Sequence, residues 1–438
     1  MLNENTRITP IIAPLLADRP PATVYRRADG LTLIHQEIRA VPVVVTDIWV
    51  DAGARHEQTE HLGMAHFLEH MVFKGTDRQQ PGAFDYAIER RGGATNAATS
   101  HDYAHFYITT ADHDFEATLP HLCDLLLHAK IPDDEFCLER EVVYEEIGQY
   151  HDNPDDRLFA KLMAGLYPEA AYGSPVLGTR DRLAALTPDL MRQFHGHYYQ
   201  PDRMTVTIIG NISFDQAQAA IDQHCTDFVP ATTYRTEPSA TVITPPSGIT
   251  REILELPNLE LARLHLAWHG PGADNLRDGY GLDLIAAILA AGRSSPLVSE
   301  LREQRQWVQG IGCYFSLQRD SGLFSVSAWL EETYLHNVEE AIVAQINRLR
   351  HQPVSPAVLR RAQRQLCNDF VFSTETPSQL AGLYGYYHTL AHADHAFVYP
   401  EQICTLSPED LQAIAHRYLT PDAYLAVIGM NERSSLLG

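Results

Sequence analysis

The segment Met64-Ala-His-Phe-Leu-Glu-His-Met-Val-Phe73 sets His66 and His70 four residues apart, with Glu69 beside the second. Residues at that spacing lie one above the other on a helix, so the two imidazoles can grip a single zinc ion. Glu69 follows His66 by three and points the same way. A carboxylate there can take a proton from a water that such an ion activates. The order H-x-x-E-H is a zinc peptidase motif. A plain amphipathic helix with two hydrogen-bonded histidines is the competing reading. It gains little, because Phe67, Leu68, Met71 and Val72 already supply the buried side.

A catalytic zinc site needs a third protein ligand and a position open to water. The run Glu139-Arg-Glu-Val-Val-Tyr-Glu-Glu-Ile147 offers Glu139 and Glu146, two helical turns apart on one face. Taken alone, a run of carboxylates is the mark of a solvated helix side. Other histidines invite less chemistry. His195 and His197 precede Tyr198 and Tyr199, which points to packing at a helix end, and His392 and His395 fall in a polar loop.

Regular elements must hold these residues. Val43 to Val50 is apolar and β-rich after Pro42, which predicts a strand. Gly63 to Phe73 has helical spacing, Tyr103 to Thr109 alternates as a strand, and Phe115 to Ala129 reads as an amphipathic helix. The chain also repeats itself. Leu186-Thr187-Pro188, Leu190, Tyr198, Pro201, Asp202 and Ile209-Gly210 recur as Leu406-Ser407-Pro408, Leu411, Tyr418, Pro421, Asp422 and Ile428-Gly429. Each copy predicts a capped helix, a Pro-Asp turn and an apolar strand. Duplication follows, with one copy closing each of two domains of normal size. The expected domains are 1–228, carrying the zinc site, and 251–438, homologous but without it. The proline-rich stretch 229–250 is the expected linker. The fold class is α+β, each domain a largely antiparallel sheet with helices packed on one face.

Composition bounds the function. The 438 residues carry a formal net charge of −23, which repels nucleic acid and anionic membrane. No stretch is apolar enough for a membrane span. Met1 to Pro20 shows no basic leader before its apolar residues, so the expected location is cytoplasmic. The six cysteines are scattered in sequence, which predicts free thiols in a reducing compartment.

These motifs make the chain similar to the pitrilysin, or insulinase, family of inverted-motif zinc peptidases (M16), and to its short two-domain bacterial members that resemble processing peptidases. The likeness covers nearly the whole chain. It implies that Glu146, 76 residues beyond His70, is the third ligand to one Zn2+ per chain, and that Glu139 is the auxiliary acid. Gly92 to Ala97, Thr99 and Tyr107 resemble the family's edge strand. There Asn96, Ala97, Ala98 and Thr99 would pair with a substrate backbone. In the second domain, Gly292 to Leu297 and Leu301 to Arg305 resemble the family's glycine-rich stretch and following helix, and Arg302 matches its arginine. Position 309 holds Gln where the family has the tyrosine that helps hold substrate and transition state.

The activity implied is a zinc-dependent endopeptidase or oligopeptidase acting on peptides or unfolded polypeptides. The alternative is a non-catalytic assembly subunit of the same fold, which would need none of the ligands that are present. Full-length members close four related domains around a chamber, so two domains imply half of a clam shell. The partner expected is a paralogous subunit that carries the missing tyrosine, giving a heterodimer. A homodimer is the alternative, offering Arg302 with Gln309.

Overall fold

The computed structural model describes residues 22–234, 243–257 and 259–432. The leader question at Met1 to Pro20, and Pro238 of the expected linker, lie outside them.

Val, Ile and Trp crowd the stretch after Pro42, and such residues pack well on a pleated surface. They form the centre of a six-stranded sheet made of β1 (Thr23–Arg26), β2 (Thr32–Glu37), β3 (Val43–Val50), β4 (Ala94–Thr99), β5 (Ala104–Ala111) and β6 (Met204–Gly210). Their order is β1-β2-β6-β3-β5-β4. β2 and β6 run parallel, and the other neighbours are antiparallel. β4 is an edge, paired to β5 from Ala94↔Thr109 to Thr99↔Ala104.

One face of this sheet holds the main core. Leu33, Val44, Ile48, Val206 and Ile208 meet α1 (Met64–Val72), α2 (Ala83–Glu89), α3 (Phe115–Leu127) and α4 (Asp133–Asp152) there. The opposite face is covered as well. Ile34, Val45 and Ile209, each next in sequence to a core residue, pack with Leu380, Ala381 and Tyr384 of the helix Pro377–Leu390. Coverage on both sides explains why β6 is buried along its whole length.

The second sheet comprises β7 (Ile249–Leu256), β8 (Ala262–Gly270), β9 (Val308–Leu317), β10 (Gly322–Leu330) and β11 (Tyr424–Asn431), ordered β7-β11-β8-β10-β9. β7 and β11 are parallel, matching β2 and β6 of the first sheet. The repeat read from the sequence is present in both. Helix Pro188–Tyr198, capped by Thr187, leads to β6, and helix Pro408–Tyr418, capped by Ser407, leads to β11.

The compact units are not the contiguous blocks 1–228 and 251–438. One comprises Met1–Gly148, Pro175–Pro238 and Val371–Phe397, and the other Gln149–Ser174, Ser239–Phe370 and Val398–Gly438. The cause is packing. Helix Pro154–Leu166 buries Leu158, Leu162, Met163 and Leu166 with Leu256, Leu425 and Val427 of the second sheet. Each such side chain is worth about 2 kcal/mol. Helix Pro377–Leu390 is held to the first sheet by the same force. β7 begins at Ile249, inside the stretch expected as linker.

All six cysteines are free thiols, although Cys123 and Cys225 approach to 2.9 Å between sulfurs. No helix among the described residues is long and apolar enough to cross a membrane.

Candidate metal centre

Helix α1 follows Gly63, whose φ of 93° lies in the left-handed region. A side chain there would also collide with the Leu177 carbonyl. The first turn of a helix has backbone N–H groups without helical partners. Glu57 supplies two, its Oε2 accepting from Gly63 N at 2.8 Å and its Oε1 from Ala65 N at 2.7 Å. Met64, Phe67, Leu68, Met71 and Val72 are buried in the core. That orientation leaves His66 and His70 to face α4.

α4 is fixed by Val143 and Ile147 in the core and by Phe136, whose ring lies 4.6 Å from that of Phe67. It carries Glu146, whose Oε2 lies 3.5 Å from His66 Nε2 and 3.4 Å from His70 Nε2. The three ligand atoms all lie within 4.8 Å of one another. Two imidazole nitrogens and one carboxylate oxygen make a donor set suited to zinc, with a coordination position left over.

Glu139, two turns before Glu146, does not join them. Its Oε1 accepts from His70 Nδ1 at 2.9 Å, which leaves His70 Nε2 to face Glu146. The other oxygen of Glu139 pairs with Lys74. Burial disfavours a charged His70, but its bonds to Glu139 and Glu146 outweigh that and push its pKa up to about 9. His66 and His70 in turn hold Glu146 well below the usual carboxylate range. A divalent cation bound there would compete with protons for the same atoms.

Glu69 Oε2 accepts a hydrogen bond of 2.6 Å from the Thr99 hydroxyl at the end of β4. Along that strand Asn96 and Ala98 are exposed, while Thr95, Ala97 and Thr99 are half-buried. Asn96 Oδ1 accepts from Ala97 N at 2.9 Å.

Arg302 and Gln309 belong to the second unit. Arg302 lies in the π-helical stretch Val298–Gln304 and pairs with its neighbour Glu303 at 2.7 Å. Gln309 is exposed on β9. The register jumps there, from Trp329↔Gly310 to Leu330↔Val308, so Gln309 is the extra residue of a β-bulge.

His195 Nε2 is bonded to the Leu126 carbonyl at 2.7 Å, and His197 Nδ1 to the Thr232 carbonyl at 3.0 Å, so both serve packing. His395 lies in the helix Asp394–Thr405 rather than in a loop.

Two residues went unread in the sequence. Glu57 caps from six and eight residues upstream, a spacing outside the usual capping signal. Lys74 follows His70 by four and so extends the His66-His70 face, which was the available clue. A Lys74→Met variant should bind a divalent transition metal about 10- to 100-fold more weakly in chelator competition, because Glu139 loses the charge that fixes it against His70. Unchanged affinity would show that Lys74 has no hold on the site.

Residues 34–180 match the family model described as Insulinase (Peptidase family M16), and residues 185–366 match Peptidase M16 inactive domain. An uncharacterized zinc protease of Bacillus subtilis, YmxG, is 29% identical over 352 residues, covering 80% of this chain and 84% of its own. The crystal structure of a protease from Helicobacter pylori superposes with a TM-score of 0.87 at 23% identity, over 94% of this chain and 99% of that one. The periplasmic protease PqqL from Escherichia coli gives a TM-score of 0.79 at 15% identity, over 96% of this chain and 49% of that one.

Proposed function

This chain belongs to the insulinase, or M16, peptidase family, and we propose that it is a zinc-dependent endopeptidase acting on peptides or unfolded polypeptides. The observation that carries the reading is the gathering of His66 Nε2, His70 Nε2 and Glu146 Oε2 within 4.8 Å, with the Glu69 carboxylate on the same helix. Zinc bound there supplies a Lewis acid that polarises a carbonyl and makes a water acidic. Glu69 takes the proton of the attacking water and later returns it to the leaving amine. Glu139, steadied by Lys74, keeps His70 in the tautomer that presents Nε2. β4 receives the substrate as an added strand, so main-chain hydrogen bonds at Asn96 to Thr99 give affinity without a strict sequence demand.

Assembly is part of the proposal. The chain covers about half of PqqL, a length that two chains of this fold would together match. Gln309 stands where the family has its tyrosine. The favoured arrangement is a heterodimer in which a paralogous partner supplies that tyrosine, and a homodimer is the alternative. Free thiols suit a reducing, cytoplasmic setting.

The non-catalytic reading draws on the inactive-domain description of residues 185–366. One experiment separates the two. The purified chain is assayed for zinc and for hydrolysis of a denatured protein and a mixed peptide pool, with and without a candidate partner. About one zinc per chain, with turnover that rises at least roughly tenfold (~1.4 kcal/mol) on adding the partner or on Gln309→Tyr, supports the peptidase and its complementation. Robust turnover by the chain alone, unchanged by either, excludes complementation. Absence of zinc and of hydrolysis under every condition leaves the assembly subunit.

A further inference from the structure

Thr99 and Glu69 come from different elements and meet at 2.6 Å through the threonine hydroxyl. Thr99 closes β4. Its backbone is paired to Ala104 of β5, and Ala104 is paired to Val50 of β3, so the strand end is anchored in the sheet. A β-branched side chain has few rotamers, which makes this hydroxyl a donor of fixed position. A glutamate side chain has more torsions and would otherwise wander. Among the described residues no other hydrogen bond holds the Glu69 carboxylate.

We propose that Thr99 is a positioning residue for the general base: its hydroxyl holds Glu69 Oε2 so that Oε1 is turned to receive the proton of the attacking water. The inference rests on the peptidase reading and deepens it. A neutral donor suits the role. It orients the carboxylate without setting a formal charge beside it. Because the hydroxyl belongs to the strand that would pair with substrate, seating the peptide and aiming the base depend on one element. A base displaced by about an ångström can cost roughly a hundredfold in rate.

The test compares wild type, Thr99→Val and Thr99→Ser, each with whatever partner the wild type requires, by zinc content and by kcat and KM on a quenched fluorescent peptide. Valine keeps the shape and the strand backbone. Zinc content and KM are therefore expected to stay within about twofold, while kcat falls roughly 10- to 100-fold. Serine restores the hydroxyl and is expected to recover kcat to within about threefold of wild type. Overturning results are an undiminished kcat in Thr99→Val, a Thr99→Ser as slow as Thr99→Val, or a loss confined to KM. A wild type that binds zinc and cleaves nothing overturns the peptidase reading and this inference together. An active wild type with an unaffected Thr99→Val overturns this inference alone.

Discussion

Glu69→Gln is expected to purify with about one zinc per chain and to hydrolyse peptides roughly a thousandfold more slowly than wild type, a barrier increase of about 4 kcal/mol. The reasoning starts from the helix. Glu69 does not lie among the three atoms that converge on the metal position. Its carboxylate is turned to Thr99 instead. An amide of the same shape still accepts from the Thr99 hydroxyl through its oxygen, so α1 and β4 should keep their relation. What is lost is the capacity to take a proton. Metal content, melting temperature and peptide affinity should all remain close to wild type while kcat collapses. Two outcomes sink the assignment. Loss of zinc would mean that Glu69 is part of the metal-binding set. Retained turnover would mean that another group is the base.

A good part of this was legible in the residues. The i, i+4 histidines and the glutamates two turns apart each define a helix face, and periodicity alone brings each pair together. Joining the two faces was a different matter, because Glu146 reaches His70 across 76 residues and that contact came from likeness to a family. The repeat was visible because proline, tyrosine and a helix cap are chemically constrained at fixed offsets. The exchange of helices was not. Leu158, Leu162 and Leu166 announce a buried stripe, as do Leu380 and Tyr384, but amphipathicity names no partner sheet. The first-sheet strands gave a hint in hindsight: Leu33 and Ile34, Val44 and Val45, Ile208 and Ile209 are apolar in adjacent pairs, the mark of strands covered on both faces. The carboxylate contacts of Lys74 and Thr99 were hidden for another reason. Each acts through one specific hydrogen-bonding contact, and nothing in the local pattern reports which carboxylate a lysine or threonine will meet.

The second large effect lies in the metal ligands themselves. His70→Ala is expected to lose zinc during ordinary purification, with affinity reduced about a thousandfold or more, beyond the 10- to 100-fold typical of a residue that only orients a ligand. Two donors, His66 and Glu146, hold zinc poorly. The vacancy also strands Glu139, whose Oε1 loses its imidazole partner while Lys74 keeps hold of the other oxygen. His195→Ala is the informative control. That histidine is more deeply buried than His70, and it bonds the Leu126 carbonyl at 2.7 Å. Removing it should cost about 1–3 kcal/mol of stability by leaving a buried acceptor unpaired, and should leave zinc stoichiometry alone. Glu139→Gln should fall between the two, keeping an acceptor for His70 but losing its charge, and so weakening zinc without abolishing it. Full zinc occupancy in His70→Ala would refute the site. Equal loss in His70→Ala and His195→Ala would show instead that any damage to this core releases the metal. Only the graded order, with His70 above Glu139 and Glu139 above His195, fits a centre built on three direct ligands and steadied from behind.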